Sequence, residues 1–397
     1  MPVSNKILAA MQAGSMIRRM FEEGAKLKQQ YGAENVFDLS LGNPIVEPPP
    51  EFEEELRRLA ANPLAGMHRY MENAGYPETR EAVGRELQKE SGIGYSCADV
   101  IMTCGAAGAM NIALKALLDP GDEVIVFAPY FVEYLFYVDN HQGKARVVPT
   151  DATFLPDMTV LEAAITGKTR AVIINSPNNP TGAVYSDGLL SEMADVLRRK
   201  SRELGTEIYI ISDEPYRRIV FDGLKYAFPA VYYNRTIIVA SHSKDLALPG
   251  ERIGYLALHP DCPGKEDLIN GFIYCNRTLG FVNAPALMQL LVRNIQGASV
   301  SIEEYQRKRD LIYTELVKYG YKVVKPAGAF YFFPRSPLAD DKQFISELHQ
   351  HRVLAVPGAG FGVPGYFRLV FCTDDHTIRG GLEGLARMAE KYRLGKS

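Results

Sequence analysis

Lys244 lies in the stretch SHSKDLALPGERIG, with Ser241 and Ser243 beside it and Arg252 eight residues on. Two cations that close repel each other, and a merely structural site avoids such a pair. Near Arg252 and away from bulk water, a lysine has a depressed pKa and is partly neutral. A neutral amine forms Schiff bases with carbonyl groups, while the arginine and hydroxyls suit an anion. Three further stretches carry residues of the same kind. ISDEPY sets Asp213 directly after an apolar run, where a carboxylate is costly unless a cation or a hydrogen-bond donor meets it. Tyr216 follows three residues later. SPNNPTG holds Asn179 in a turn made by Asn-Pro and Thr-Gly pairs. TCGAAGAMNIALKALL puts Gly105, Ala106 and Ala107 where a strand gives way to a helix, so that free N–H groups and the helix dipole favour an anion. Each stretch alone also has a structural reading: turn chemistry for Asn179, a capping carboxylate for Asp213, packing for Gly105.

These residues need elements that bring them together. VIMTCG, EVIVFAP, ARVVPTD, RAVIINSP, EIYIISDEP, RTIIVASHS and RIGYLALH read as strands, and AMNIALKALLDPG and DGLLSEMADVLRRKSRELG read as helices between them. Apolar strands separated by helices predict a mainly parallel sheet covered on both faces. In such a sheet ligands bind at the carboxyl ends of the strands, which is where Asn179, Asp213 and Lys244 fall. Near Gly297 the character changes. SIEEYQRKRDLIYTELVKYG is a long amphipathic helix, followed by FYFFPR, RVLAVPG and YFRLVF and a last helix, HTIRGGLEGLARMAEKY. That predicts a second α+β lobe, to which an amphipathic N-terminal arm returns, with a cleft between the lobes. GAGFG at 358–362 reads as a loop. The expected division is a large domain over 47–296 and a small one built from 1–46 and 297–397.

Composition narrows the classes. The 397 residues carry a net charge of −3, 47% hydrophobic and 23% charged residues, as an ordinary globular protein does. The charge argues against nucleic-acid or polybasic membrane binding, and no apolar run is long enough to span a bilayer. Five cysteines without a CxxC pair read as reduced thiols of a cytoplasmic protein. Scattered histidines without HExxH give no metal site.

A lysine ready for Schiff-base chemistry, a phosphate-binding set and a buried carboxylate fit one cofactor, pyridoxal 5′-phosphate (PLP). A carboxylate keeps its ring nitrogen protonated, so that the ring can draw off electrons. At this point the sequence resembles the class I/II aminotransferases, fold-type I PLP-dependent enzymes, over nearly the whole chain. The resemblance implies a large domain with a mainly parallel seven-stranded sheet plus a small α+β domain. LGNP gives Gly42 as a substrate contact. RYMENAGYPETREAV gives Tyr70, reaching the phosphate of a neighbouring subunit in a homodimer. CGAA gives the phosphate cup of Gly105, Ala106 and Ala107, and PYFVEY gives Phe131 stacked on the ring. NNPTG and DEPY give Asn179 and Tyr216 on the phenolic oxygen, with Asp213 on the pyridinium nitrogen. SHSK gives Lys244 as the internal-aldimine lysine, with Ser241, Ser243 and Arg252 near the phosphate. GYFRLVF gives Arg368, paired with the α-carboxylate of the substrate. Arg277 has two readings, a ligand for a distal carboxylate or a surface arginine. Tyr134 is either a substrate-side aromatic or core packing. The implied reaction moves an amino group from an L-amino acid to a 2-oxo acid in a ping-pong cycle. A C–S β-lyase of the same fold shares every cofactor residue and is the alternative. A PLP-binding regulator without turnover fits less well, since the lysine is kept and no DNA-binding extension is seen.

Overall fold

Alternating apolar runs and helices build a seven-stranded sheet in the computed structural model, which describes residues 3–13 and 15–395. The strands are β1 (Val100–Thr103), β2 (Glu123–Ala128), β3 (Lys144–Pro149), β4 (Thr169–Asn175), β5 (Tyr209–Asp213), β6 (Thr236–Ser241) and β7 (Gly254–Leu258). Their order is β1-β7-β6-β5-β4-β2-β3. Only β7 runs against its neighbours, β1 and β6; the other pairs are parallel. All seven runs expected as strands are present.

The sequence of each strand follows from its position. β1, β5, β6 and β7 are buried at every residue, because helices cover both faces of the sheet. Alternate residues serve opposite cores. Ile173, Ile211 and Val239 pack with the Gly105–Leu117 helix, while Val172, Ile174 and Ile210 pack with the Asp187–Leu204 helix. β3 departs from the expectation of strands buried on both faces. It is an edge strand, and Lys144 and Arg146 are exposed on it, as suits an edge that must not recruit another strand.

The parallel register sets the site. Asn175 of β4 pairs with Asp213 of β5, and Asp213 pairs with Val239 of β6, so these strand ends lie side by side.

The C-terminal part of the chain forms a smaller α+β unit. A three-stranded antiparallel sheet runs Val356–Pro357, Phe367–Val370, Tyr331–Phe332. The helices Ile302–Lys318 and Asp375–Lys391 accompany it, around a core rich in aromatics such as Phe330, Phe332 and Phe371. The early segment does return to it: Phe37–Asp38 pairs in parallel with Val353–Leu354. RVLAVPG, expected as one strand, is divided between two sheets at Ala355. GAGFG, expected as a loop, is a short 3-10 turn, Gly358–Phe361. The expected N-terminal arm is helical over Asn5–Ala13 and Ser15–Tyr31; Met1, Pro2 and Gly14 lie outside the described residues, as do Lys396 and Ser397. No helix among the described residues is long and apolar enough to cross a membrane.

Candidate active site

Two adjoining chambers open at the carboxyl ends of β4, β5 and β6. The first, of about 320 Å³, takes in Ala106, Ala107, Asp213, Ser241, Ser243 and Arg252. The second, of about 280 Å³, takes in Gly42, Tyr331, Phe361 and Arg368. Phe131, Glu133, Asn179, Tyr216 and Lys244 line both. Lys244 thus stands at the junction of the two.

The amine of Lys244 donates a hydrogen bond to the Gly42 carbonyl at 2.7 Å and sits 5.7 Å from the Phe330 ring centre. Burial pushes its pKa down to about 8. The charges of Arg368 and Arg252 push the same way, against an opposing influence from Cys372. Desolvation therefore outweighs the neighbouring arginine in loosening the proton of Lys244.

Asp213 is enclosed at the end of β5. Burial pushes its pKa up to about 7, partly offset by a hydrogen bond from the Tyr134 hydroxyl to Oδ2. Its Oδ1 is buried and has no partner. Asn175 holds the backbone of this residue through Nδ2, 2.9 Å from the Asp213 carbonyl. A carboxylate so placed is ready for a cation or an N–H donor arriving from the chamber. Tyr134 itself lies in the first chamber beneath Asp213 and not among the residues of the second. Its ring meets Phe131 edge to face at 5.5 Å.

The anion-binding corner is shaped by the close approach of Arg252 to the Gly105 backbone. Gly105 has φ +71°, and a Cβ there would lie 2.8 Å from Nη2 of Arg252. The left-handed φ favours glycine, and a larger residue would push the tip of Arg252 aside. Arg252 is fixed by a hydrogen bond from Nη1 to the Pro249 carbonyl at 2.8 Å. Ala106 and Ala107 stand in the first turn of the Gly105–Leu117 helix, where N–H groups have no partner within the helix.

On the other side, Arg368 donates from Nη1 to Asn179 Oδ1 at 3.0 Å and from Nη2 to the Ser40 carbonyl at 2.7 Å. Its guanidinium lies 4.9 Å from the ring centres of both Tyr331 and Phe361, which holds it by cation–π attraction. Its Nε is buried without a partner. Asn179 is fixed in turn by its N–H, 2.7 Å from Asn175 Oδ1. The hydroxyls of Tyr216 and Tyr331 are 2.6 Å apart. A Cβ on Gly42 would come within 2.5 Å of the Tyr331 hydroxyl, so glycine is needed there for closeness alone.

Two residues singled out in the sequence lie elsewhere. Tyr70 is 91% exposed and lines a shallow groove with Phe281 and Asn283, apart from both chambers. Arg277 is exposed on the Lys265–Thr278 helix, 5.6 Å from the Tyr274 ring centre, and enters neither chamber. Sequence reasoning missed Glu133, Asn175, Ser40, Tyr331 and Phe361. Asn175 ends its strand as Asp213 does, a signal that was available. Tyr331 and Phe361 look like any other core aromatic until the small unit folds over the sheet.

The sequence model for "Aminotransferase class I and II" matches residues 34–385. The chain belongs to the class I and II aminotransferases. Among its relatives, the aspartate/prephenate aminotransferase of Thermus thermophilus is 34% identical, over 88% of this chain and 90% of that one. The probable aspartate aminotransferase of Methanocaldococcus jannaschii is 33% identical, over 87% and 91% respectively. A crystal structure of an amino transferase from Eubacterium rectale superposes with a TM-score of 0.95 at 38% identity, covering 99% of each chain. The Thermus thermophilus aspartate aminotransferase with maleate gives 0.83 at 32% identity, covering 94% and 96%. The fold is that of the fold-type I enzymes, and the chain is a transaminase. These names support amino-group transfer over the elimination that the sequence left open.

The aminotransferase family works with PLP, and the first chamber fits that group on its own features. It has a desolvated amine, Lys244, an unpartnered carboxylate oxygen on Asp213, and an arginine held against a glycine that leaves room beside it.

Proposed function

We propose that the first chamber holds PLP and the second an amino acid, with Lys244 working between them as covalent anchor and proton carrier. The observation that carries this reading is a desolvated amine and an unpartnered buried carboxylate lining one cavity. When bound, the cofactor supplies an aldehyde for imine formation and a protonated ring that withdraws electrons from the bond being broken.

The residues of the chain do the rest. Asp213 holds the ring N–H through Oδ1, and the positive charge brought to it restores the ionised form that burial opposes. Tyr134 fixes the other oxygen. Arg252, Ser241, Ser243 and the N–H groups of Gly105, Ala106 and Ala107 hold the phosphate. Phe131 covers the ring face, and Asn179 and Tyr216 take the phenolic oxygen. Arg368 receives the α-carboxylate as a bidentate partner, oriented by Tyr331 and Phe361, with Gly42 alongside. Lys244 then accepts the Cα proton on Nζ, as a general base whose pKa lies near working pH, and returns it on the far side of the transfer. A 2-oxo acid leaves, a second enters, and the same groups work in reverse, as a ping-pong cycle requires.

We read residues 47–296 as the PLP-binding domain and 1–46 with 297–397 as the small domain. The pairing of Phe37–Asp38 with Val353–Leu354 supports that division. We read the active unit as a cytoplasmic homodimer whose sites are shared. The exposure of Tyr70, apart from the chambers of its own chain, supports a role in the neighbour's. Arg277 reads as a surface arginine.

The test is a single turnover. Protein loaded with PLP is mixed with one L-amino acid at a time, without oxo acid. Loss of the absorption band of the lysine-bound cofactor, with stoichiometric 2-oxo acid, is the expected result. Steady release of pyruvate and ammonia from cysteine, with the band returning, would assign the chain to the lyases. Full turnover in Lys244→Ala would remove Lys244 from the mechanism.

A further inference from the structure

We propose that Glu133 selects the side chain of the amino donor. Its carboxylate favours a side chain ending in an N–H donor, an amide or an ammonium group, and turns away one ending in a carboxylate. The inference rests on the two-chamber reading above.

Among the described residues, five charged ones line the two chambers: Glu133, Asp213, Lys244, Arg252 and Arg368. Under that reading Asp213 and Arg252 serve the cofactor, Lys244 the proton, and Arg368 the α-carboxylate. Glu133 alone is left facing the substrate without a task. It opens the Glu133–Asn140 helix, two residues after Phe131, and lines both chambers. Its Oε2 is buried and has no hydrogen-bond partner. Burial raises its pKa, against its own backbone N–H and the charge of Arg368.

A buried acceptor without a donor is a costly arrangement that a suitable ligand relieves. A substrate N–H would satisfy Oε2. A substrate carboxylate would bring no N–H, and could pair with Oε2 only at the cost of protonating Glu133. Among the described residues of the chain, the second chamber has no cation beyond Lys244 and Arg368 in its lining, and under the two-chamber reading both are already engaged. Discrimination built on a hydrogen bond to a buried polar group is large, because the wrong ligand leaves that group unpaired. Relatives of this chain carry aspartate in their names; Glu133 points this chain toward a different donor.

The test compares near-isosteric pairs on the holoenzyme: L-glutamine against L-glutamate, and L-asparagine against L-aspartate. The wild type is expected to favour the amide of each pair in kcat/KM. Glu133→Gln keeps the shape, loses the charge and gains a donor. It should move each ratio toward the carboxylate by about 100-fold. A readout without turnover accompanies it, calorimetric titration with succinate, a dicarboxylate that has no amino group to react. Its affinity should rise about tenfold in Glu133→Gln. Glu133→Ala, which removes the charge without adding a donor, should shift both readouts in the same direction by less.

Ratios within twofold of wild type in Glu133→Gln, or an unchanged succinate affinity, would overturn the proposal. Failure of the two-chamber reading has another signature: wild-type holoenzyme would release no 2-oxo acid from any L-amino acid, lysine and ornithine included. The succinate titration would still report on Glu133.

Discussion

An amine attacks a carbonyl only after losing its proton, and Lys244 does so at about pH 8 where a free lysine holds on to about 10.5. In cofactor-free protein, acylation of Lys244 should therefore rise with pH around a midpoint near 8. Peptide mapping after labelling across pH 6–11 reads it, and a midpoint near 10.5 would contradict the burial argument. Stability carries the same signature. Between about pH 8 and 10.5 the unfolded chain keeps a proton on this lysine that the folded chain has lost, so raising the pH favours the folded form. This contribution is complete above the unfolded value and lost as the pH falls through the folded one. Urea midpoints at pH 8 and 10 should show the gain in the wild type and lack it in Lys244→Met. At this scale much of the site was legible. Lys244, Asp213 and Asn179 each follow an apolar run, and a polar residue there asks for an explanation. Glu133 gave no such signal. It lies in an amphipathic helix start, where an acidic residue is ordinary, and its lack of a partner is a fact of three dimensions.

The elements around the site are tied by charges that no sequence pattern announces. Arg218 reaches Glu90 at 2.6 Å and Glu86 at 3.1 Å, both on the Pro77–Ser91 helix. It also donates to the carbonyls of Gln296 at 2.6 Å and Ala298 at 3.0 Å. Arg217 beside it pairs with Glu90 at 3.0 Å. One side chain shortly after β5 thus joins a helix to the stretch leading into the small unit. Arg218→Ala leaves Glu86 and Glu90 short of a partner in a largely buried place, and should destabilise the protein by about 3 kcal/mol. Chemical denaturation of the two proteins measures it; a change within error would show that water replaces the arginine. The strands were read correctly because a sheet covered on both faces imposes apolar runs on them. The division of RVLAVPG between two sheets was not readable, since both halves are equally apolar and only their partners differ.

For the whole molecule, the placing of Tyr70 makes a prediction that a single chain cannot satisfy. If each site borrows this tyrosine from a neighbour, Tyr70→Ala and Lys244→Ala are each impaired alone, and mixed subunits rebuild one site with both residues intact. Co-refolding the two variants should restore activity, with Tyr70→Ala mixed with itself as the control. No recovery on mixing would keep Tyr70 out of the chemistry. The order of elements was legible from composition shifts along the chain; how the elements of the smaller sheet meet was not, because contact surfaces carry no periodicity. The grip of both cations on residues 40–42 has a consequence for the molecule as a whole. Arg368 already feeds the Ser40 carbonyl and Lys244 the Gly42 carbonyl. Under the two-chamber reading, cofactor on Lys244 and a substrate carboxylate on Arg368 would each displace one of these bonds, so each affinity would be a difference between two sets of hydrogen bonds. The segment held is the one that leads from the sheet pairing at Phe37–Asp38 toward the Pro50–Ala61 helix. Occupancy would then be written into the slack of this strap, and a label on Ile45, three residues beyond Gly42, would read it.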